Sequence, residues 1–352
     1  MKYIKGQQGN IYLNDWSALR KKIQTLAPSR IFVLVDENTE KYCLFHLLEN
    51  TELPVQIIRI ESGEQHKDLD TCRVVWQSLM YKGADRRSLL INLGGGVIGD
   101  LGGFCAGTYM RGIRFIQMPT TLLSQVDASV GGKSGIDFMQ RKNMVGLFGN
   151  PEAVFVFTRF LKTLPEREIR SGFAEILKHA LIADKTSWDI LTQSEITGIA
   201  DWESLVYQSI LTKLDITNED PYESGKRKIL NFGHTIGHAV ESYWMTGDKP
   251  LLHGEAIAIG MVAESFIAYR MGFIREEILF NIRRAILHIY GHQPRYVKPT
   301  GALIALMRSD KKNHNNTFLL SLPDAIGQCR YDIPVTEDII AESLIFYGTV
   351  LR

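Results

Sequence analysis

Short runs of apolar and β-branched residues recur along the first half of the chain, at Ile31–Val35, Val55–Ile60, Ser88–Leu93, Arg114–Met118 and Ala153–Phe157. Runs of this length, separated by helix-sized segments, predict buried strands of a parallel sheet built from βαβ units. The first four end in polar or Gly-rich turns: Asp36, the loop 61–67, Gly94-Gly95-Gly96 and Pro119-Thr120-Thr121. Ligands of such sheets sit at the carboxyl ends of the strands, so these turns are where a site is expected. From Pro165 onward the apolar spacing becomes three and four residues, as at Ile176, Leu177, Ala180 and Leu181. That period predicts helices, and β-branched runs stay scarce until Thr317–Leu322. The expectation is an α/β domain over 1–160 and a mainly α-helical domain over 161–352.

Composition narrows the function class. A length of 352 residues fits about two domains at roughly 150 residues each. Apolar residues make up 45% and charged residues 22%, the balance of a soluble globular protein. Forty Lys and Arg against 39 Asp and Glu leave a net charge of +1, which argues against a general nucleic-acid or membrane-surface binder. A local basic pocket stays compatible with that sum. The cysteines Cys43, Cys72, Cys105 and Cys329 form neither a C-x-x-C pair nor a disulfide framework. The segment 1–13 has no apolar signal core, and runs such as Ala256–Ala263 are too short to span a bilayer. A soluble, cytoplasmic, stand-alone protein is expected.

Three groups of residues carry chemistry. Gly94, Gly96 and Gly99 form G-x-G-x-x-G between a predicted strand and a predicted helix. Such a loop lets backbone approach a pyrophosphate at a helix N-terminus, or it is a close-packed turn. The acidic partner normally found about 20 residues on is absent, and Asp36 at the end of the first strand is the alternative. His234 and His238 lie one helical turn apart, His253 precedes another helix, and Glu175 sits in an apolar stretch. Spacing alone favours His234 and His238 as a metal-ligand pair, with a solvated pair as the plain alternative. Lys133, Arg141, Lys142, Asn143, Lys213, Arg227, Asn231, Lys311 and Lys312 add cations and amides, with Glu223 as a carboxylate among them. Gathered near one site they would suit an anionic substrate bearing phosphate or carboxylate; dispersed, they are ordinary surface.

The segments Gly94–Asp100, Pro119–Lys133, Gly172–Glu175, Leu230–Ala239 and His253–Ala256, in this order, resemble the 3-dehydroquinate synthase family of sugar-phosphate cyclases. The resemblance spans Asp36 to about Gly327. It implies a Rossmann-like N-terminal domain, a helical C-terminal domain, an active site in the cleft between them, and a homodimer. The implied reaction is the shikimate-pathway conversion of 3-deoxy-D-arabino-heptulosonate 7-phosphate to 3-dehydroquinate and phosphate. NAD and zinc or cobalt are the implied cofactors: NAD takes a hydride and returns it, and phosphate leaves by β-elimination in between.

The resemblance assigns the metal to Glu175, His234 and His253, replacing the pair chosen by spacing. It assigns NAD to Asp36 and Asn38, to the loop Ser62, Gly63, Glu64, Gln65, His66 and Lys67, and to Gly95, Gly96, Val97, Ile98, Gly99 and Asp100. Thr120, Thr121, Lys133 and Lys142 join them, with Phe160, Leu161, Lys162 and Thr163 nearby. Substrate falls to Asp127, Lys133, Asn143, Lys178, Lys213, Glu223, Arg227, Asn231, His238 and one of Lys311 or Lys312, while Arg111 reaches the neighbouring subunit's site. Glu37 and Ser62 depart from the family pattern. Rival readings are another cyclase, such as a 2-deoxy-scyllo-inosose or valiolone synthase, and a metal-dependent polyol dehydrogenase. Arg227, Asn231 and His238 together favour a carboxylate-bearing substrate over the rival cyclases, and a neutral alcohol substrate of a dehydrogenase would not need this many cations.

Overall fold

The computed structural model describes residues 2–6, 9–139, 141–245, 249–308 and 317–349. Two compact units emerge: Met1–Ile169 with Asp201–Leu214, and Arg170–Ala200 with Asp215–Arg352. Sequence reading placed a single join near 160. The return of 201–214 to the first unit was not visible, because helical periodicity marks an apolar stripe but not the core that receives it.

The first unit contains β1 (Lys2–Ile4), β2 (Ile11–Leu13), β3 (Ile31–Val35), β4 (Val55–Arg59), β5 (Leu89–Gly94), β6 (Arg114–Pro119), β7 (Lys133–Phe138), β8 (Arg141–Phe148) and β9 (Val154–Val156). Seven of these form one sheet in the order β1-β2-β9-β6-β5-β3-β4. All neighbours pair in parallel except the edge pair β1–β2. Side chains alternate between two cores, as the pleat requires. Ile31, Val33, Val35, Leu89, Ile91 and Leu93 join Leu19 and Ile23 of the Trp16–Leu26 helix on one face. Phe32, Leu34 and Leu90 join Cys72, Val75, Ile98 and Leu101 on the other. A sheet buried on both faces explains the unbroken apolar runs. The separate antiparallel hairpin β7–β8 coincides with none of the apolar runs of the sequence.

The strand order reverses between β3 and β5: the chain steps outward to β4 on one side, then to β6 and β9 on the other. The carboxyl ends flanking a reversal leave a crevice, the usual ligand position of open α/β sheets. Asp36 follows one of these ends and Gly94-Gly95-Gly96 the other.

In the second unit the helix His253–Arg270 is buried on nearly every side, as expected of an interior helix without a polar face. Helices His234–Trp244, Glu276–Tyr290 and Glu337–Gly348 pack on it. The predicted strand near Thr317 is the first arm of a hairpin, β10 (Thr317–Ala325) with β11 (Gln328–Thr336). Among the described residues no helix is long and apolar enough to cross a membrane.

Candidate active site

The glycine loop has the predicted strand–turn–helix context, passing from β5 into the helix Gly96–Thr108. A Cβ on Gly94 would lie 2.4 Å from Ile98 Cβ, so the turn accepts no side chain there. Gln117 Nε2 donates to the Gly99 carbonyl at 2.9 Å and ties this helix to β6. Unpaired N–H groups at the start of such a helix suit the pyrophosphate of a dinucleotide. Asp36 caps the next short helix, accepting from Thr39 N at 2.7 Å and Thr39 Oγ1 at 3.0 Å. The two positions that depart from the family pattern bond to each other: Ser62 N donates to Glu37 at 3.1 Å and Ser62 Oγ at 2.5 Å. Ile98, Phe160 and Leu161 turn their side chains into the core, leaving only backbone for a cofactor. Thr120 is buried, its N–H donating to the Gly94 carbonyl at 2.9 Å, while Asn38, Lys162 and Thr163 are exposed.

A polar cluster surrounds Lys67. Its ammonium, 5% exposed, donates to Asp100 Oδ2 at 2.6 Å and Asn143 Oδ1 at 2.7 Å, with Glu64 at 3.9 Å. Burial opposes the charge, but Asp100 and Glu64 more than offset it and hold Lys67 well above its usual range. Lys142 lies 3.4 Å from Glu64. Lys213 Nζ donates to both the carboxylate and the backbone carbonyl of Asp127, each at 2.6 Å. Lys133 is exposed at the start of β7, and Arg111 is exposed on a left-handed turn with φ of 67°.

The second unit gathers the metal candidates. Glu175 is fully buried and pairs with the ammonium of Lys178 on the same helix, Glu166–Ala183. His234 Nε2 and His253 Nε2 each lie 3.6 Å from Glu175 Oε1. The opposite nitrogen of each ring also has a partner: His234 Nδ1 is 3.1 Å from the Phe232 carbonyl, and His253 Nδ1 is 3.3 Å from Glu241 Oε2. Burial and then Lys178 push His234 well below the usual histidine range. Burial acts the same way on His253, but Glu241 and Glu175 overcome it and hold the ring up to about 10. His238 is exposed, its ring centroid 5.0 Å from that of His234. Among the described residues His234, His238 and His253 offer ring nitrogens within 4.8 Å of one another. Imidazole nitrogens beside a carboxylate are the donor set that zinc or cobalt takes. The cradle therefore fits such an ion.

Sequence reading missed three carboxylates that hold this site. Glu241 lies two turns after His234, so the spacing His234, His238, Glu241 could have revealed it. Glu264 is fully buried and accepts from Gly233 N at 2.6 Å and Ile236 N at 3.1 Å, capping the helix that starts at His234. Burial pushes Glu264 up to about 8 despite those bonds. Asp220 accepts from the backbone N–H groups of Ser224 at 3.0 Å, Gly225 at 2.7 Å and Arg227 at 3.1 Å. It fixes the loop in which buried Arg227 donates to the Pro221 carbonyl at 2.6 Å and Asn231 donates to Glu223 at 2.6 Å. Lys311 and Lys312 lie outside the described residues.

Burial alone would raise the Asp220 pKa, but these bonds lower it from 3.8 to about 2. A carboxylate depressed by folding stabilises fully above its unfolded pKa and loses that contribution as pH falls toward the folded value. Asp220→Ala is therefore expected to lose about 1–3 kcal/mol at neutral pH, with the deficit shrinking between about pH 4 and pH 2. Urea midpoints at pH 7 and pH 3 check this, and an equal deficit at both would contradict it.

Residues 57–171 match the family described as 3-dehydroquinate synthase N-terminal, and residues 172–313 match 3-dehydroquinate synthase C-terminal. The chain is 40% identical to the 3-dehydroquinate synthase of Parabacteroides distasonis, over 94% of this chain and 95% of that one. It is 38% identical to the 3-dehydroquinate synthase of Pyrococcus furiosus, over 95% and 97%. Among solved structures it resembles a 2-deoxy-scyllo-inosose synthase complexed with carbaglucose-6-phosphate, NAD+ and Co2+, with TM-score 0.85 and 25% identity over 97% and 98%. The fold is shared with a 2-epi-5-epi-valiolone synthase from Streptomyces hygroscopicus, with TM-score 0.81 and 24% identity over 99% of each chain.

Proposed function

The chain belongs to the 3-dehydroquinate synthase family, and on that premise we propose that it converts 3-deoxy-D-arabino-heptulosonate 7-phosphate into 3-dehydroquinate and phosphate. The observation that carries this reading is the buried Glu175 with His234 Nε2 and His253 Nε2 each 3.6 Å away, in a chain that also carries the glycine loop at a strand-order reversal. When bound, NAD supplies a reversible hydride acceptor and the divalent cation polarises the hydroxyl being oxidised.

In this reading Glu175, His234 and His253 hold the cation. The glycine loop with Asp36, Glu64, Lys67, Asp100, Thr120 and Thr121 holds NAD. Lys133, Lys178, Lys213 and Arg227 neutralise a substrate that carries both phosphate and carboxylate, a charge a neutral polyol would not need. Asp127, Asn143, Glu223, Asn231 and His238 orient its hydroxyl groups, and orientation is the main demand of an intramolecular ring closure. The working form is a cytoplasmic homodimer in which Arg111 serves the neighbouring subunit's site. The exposed left-handed turn at Met110 and Arg111, with φ of 51° and 67°, supports that role, since such strain tends to accompany function.

Competition separates this reading from the rival cyclase. With NAD and zinc present, phosphate release from the heptulosonate phosphate is expected to outpace release from glucose 6-phosphate, which lacks the carboxylate. Preference for glucose 6-phosphate would overturn the substrate assignment.

A further inference from the structure

His234 and His253 are held in the same way. Each ring turns Nε2 toward Glu175 Oε1 at 3.6 Å and Nδ1 toward an oxygen acceptor. For His234 the acceptor is the Phe232 carbonyl at 3.1 Å, two residues away and fixed by the local backbone. For His253 it is the Glu241 carboxylate at 3.3 Å, a buried side chain on a different helix. Glu241 is only 6% exposed, and a buried carboxylate needs charged or hydrogen-bonding partners. Its helix, His234–Trp244, also carries His234, so one rigid element supplies one ligand and aims the other.

We infer that Glu241 is a positioning residue that fixes the ring and tautomer of His253 for a divalent cation. With Nδ1–H bonded to Glu241, the Nε2 lone pair faces the cradle, and the carboxylate makes that nitrogen a stronger donor. This inference rests on the proposed ligand set of Glu175, His234 and His253. Glu241 acts through His253 and is not itself a ligand.

Cobalt(II) alone is the probe, titrated into metal-free protein and followed by its visible absorption bands and by competition with a chelator. Glu241→Leu, close in shape and unable to accept a hydrogen bond, is expected to weaken cobalt binding about 10- to 100-fold and to shift the bands. Glu241→Gln keeps an acceptor without the charge, so a partial rescue is expected, with a loss of about fivefold. Wild-type cobalt affinity and spectrum in either variant would overturn the inference. If Glu241→Leu fails to fold, the Gln variant decides alone. His253→Ala is the control: cobalt lost there but retained in Glu241→Leu sinks this inference and leaves the ligand set standing. Cobalt retained in His253→Ala sinks the ligand set, and the inference with it.

Discussion

Protein carrying His253→Ala is expected to retain no stoichiometric zinc after gel filtration, whereas His238→Ala retains it and loses turnover. Three histidine nitrogens lie within 4.8 Å of one another, so proximity does not rank them. Direction does: His234 and His253 both aim Nε2 at the buried carboxylate of Glu175, each at 3.6 Å, and each has its Nδ1 tied back. His238 is on the exposed side of its helix. Removing one of three ligands should weaken metal binding by more than the roughly 10- to 100-fold that an outer partner costs. Removing a side chain that bonds an anionic substrate costs about 1.5–3 kcal/mol, or roughly 10- to 100-fold in turnover. Metal analysis of both variants decides. Zinc retained by His253→Ala and lost by His238→Ala would mean that the third ligand has been misassigned.

The second large effect is expected at Gly260, which carries no reactive group of its own. A Cβ there would stand 1.9 Å from the Gly233 carbonyl oxygen and 2.9 Å from the Gly237 nitrogen. Both are backbone atoms at the start of the helix that carries His234, so no side chain can rotate away. Gly260→Ala must push that helix off His253–Arg270, the helix that carries His253. Overpacking usually costs about 1–3 kcal/mol, and a clash with backbone belongs at or above the top of that range. The same displacement separates His234 from His253, so zinc affinity should fall along with the urea midpoint. Gly301→Ala is the control, because a Cβ there meets nothing within 4 Å. A stable, zinc-replete Gly260→Ala would show that the two helices need not approach this closely.

How much of this was legible beforehand follows from which forces are local. The five apolar runs became β3, β4, β5, β6 and β9 with no end shifted by more than one residue, because a sheet covered on both faces writes its burial directly into the sequence. The glycine loop kept its strand–turn–helix setting for a similar local reason. The three-residue strands Lys2–Ile4 and Ile11–Leu13 are too short to show a period. In β7–β8, the residues from Lys133 to Phe148 mix charge and glycine with apolar positions, and the pairing partner is what makes them strands. β11 was missed although its signal is there: Gln328–Thr336 alternates polar residues with Cys329, Tyr331, Ile333 and Val335, the period of a half-buried strand, and it pairs with β10.

At the site, residue types could be read but partnerships could not. Spacing pointed to His234 with His238, a contact within one helix, whereas Glu175, His234 and His253 meet only through folding. It was the family resemblance, not periodicity, that joined them. No motif or spacing marks Glu264 or Asp220 in the sequence. Their roles appear only when the backbone N–H groups they accept are known. The balanced net charge of +1 likewise gave no sign that Lys67, Lys178 and Lys213 are all buried cations paired with carboxylates.

The proposed reaction has a stoichiometry that can be measured. Purified, zinc-loaded protein is given excess heptulosonate phosphate with NAD at about the enzyme concentration, and phosphate, NADH and product are followed together. Many turnovers are expected, each releasing one phosphate and one 3-dehydroquinate, the latter detected as the enone formed with a coupled dehydratase, without accumulation of NADH. Absence of phosphate release from folded, metal-loaded protein, or NADH rising in step with substrate consumed, would mean that the chain does not catalyse this reaction.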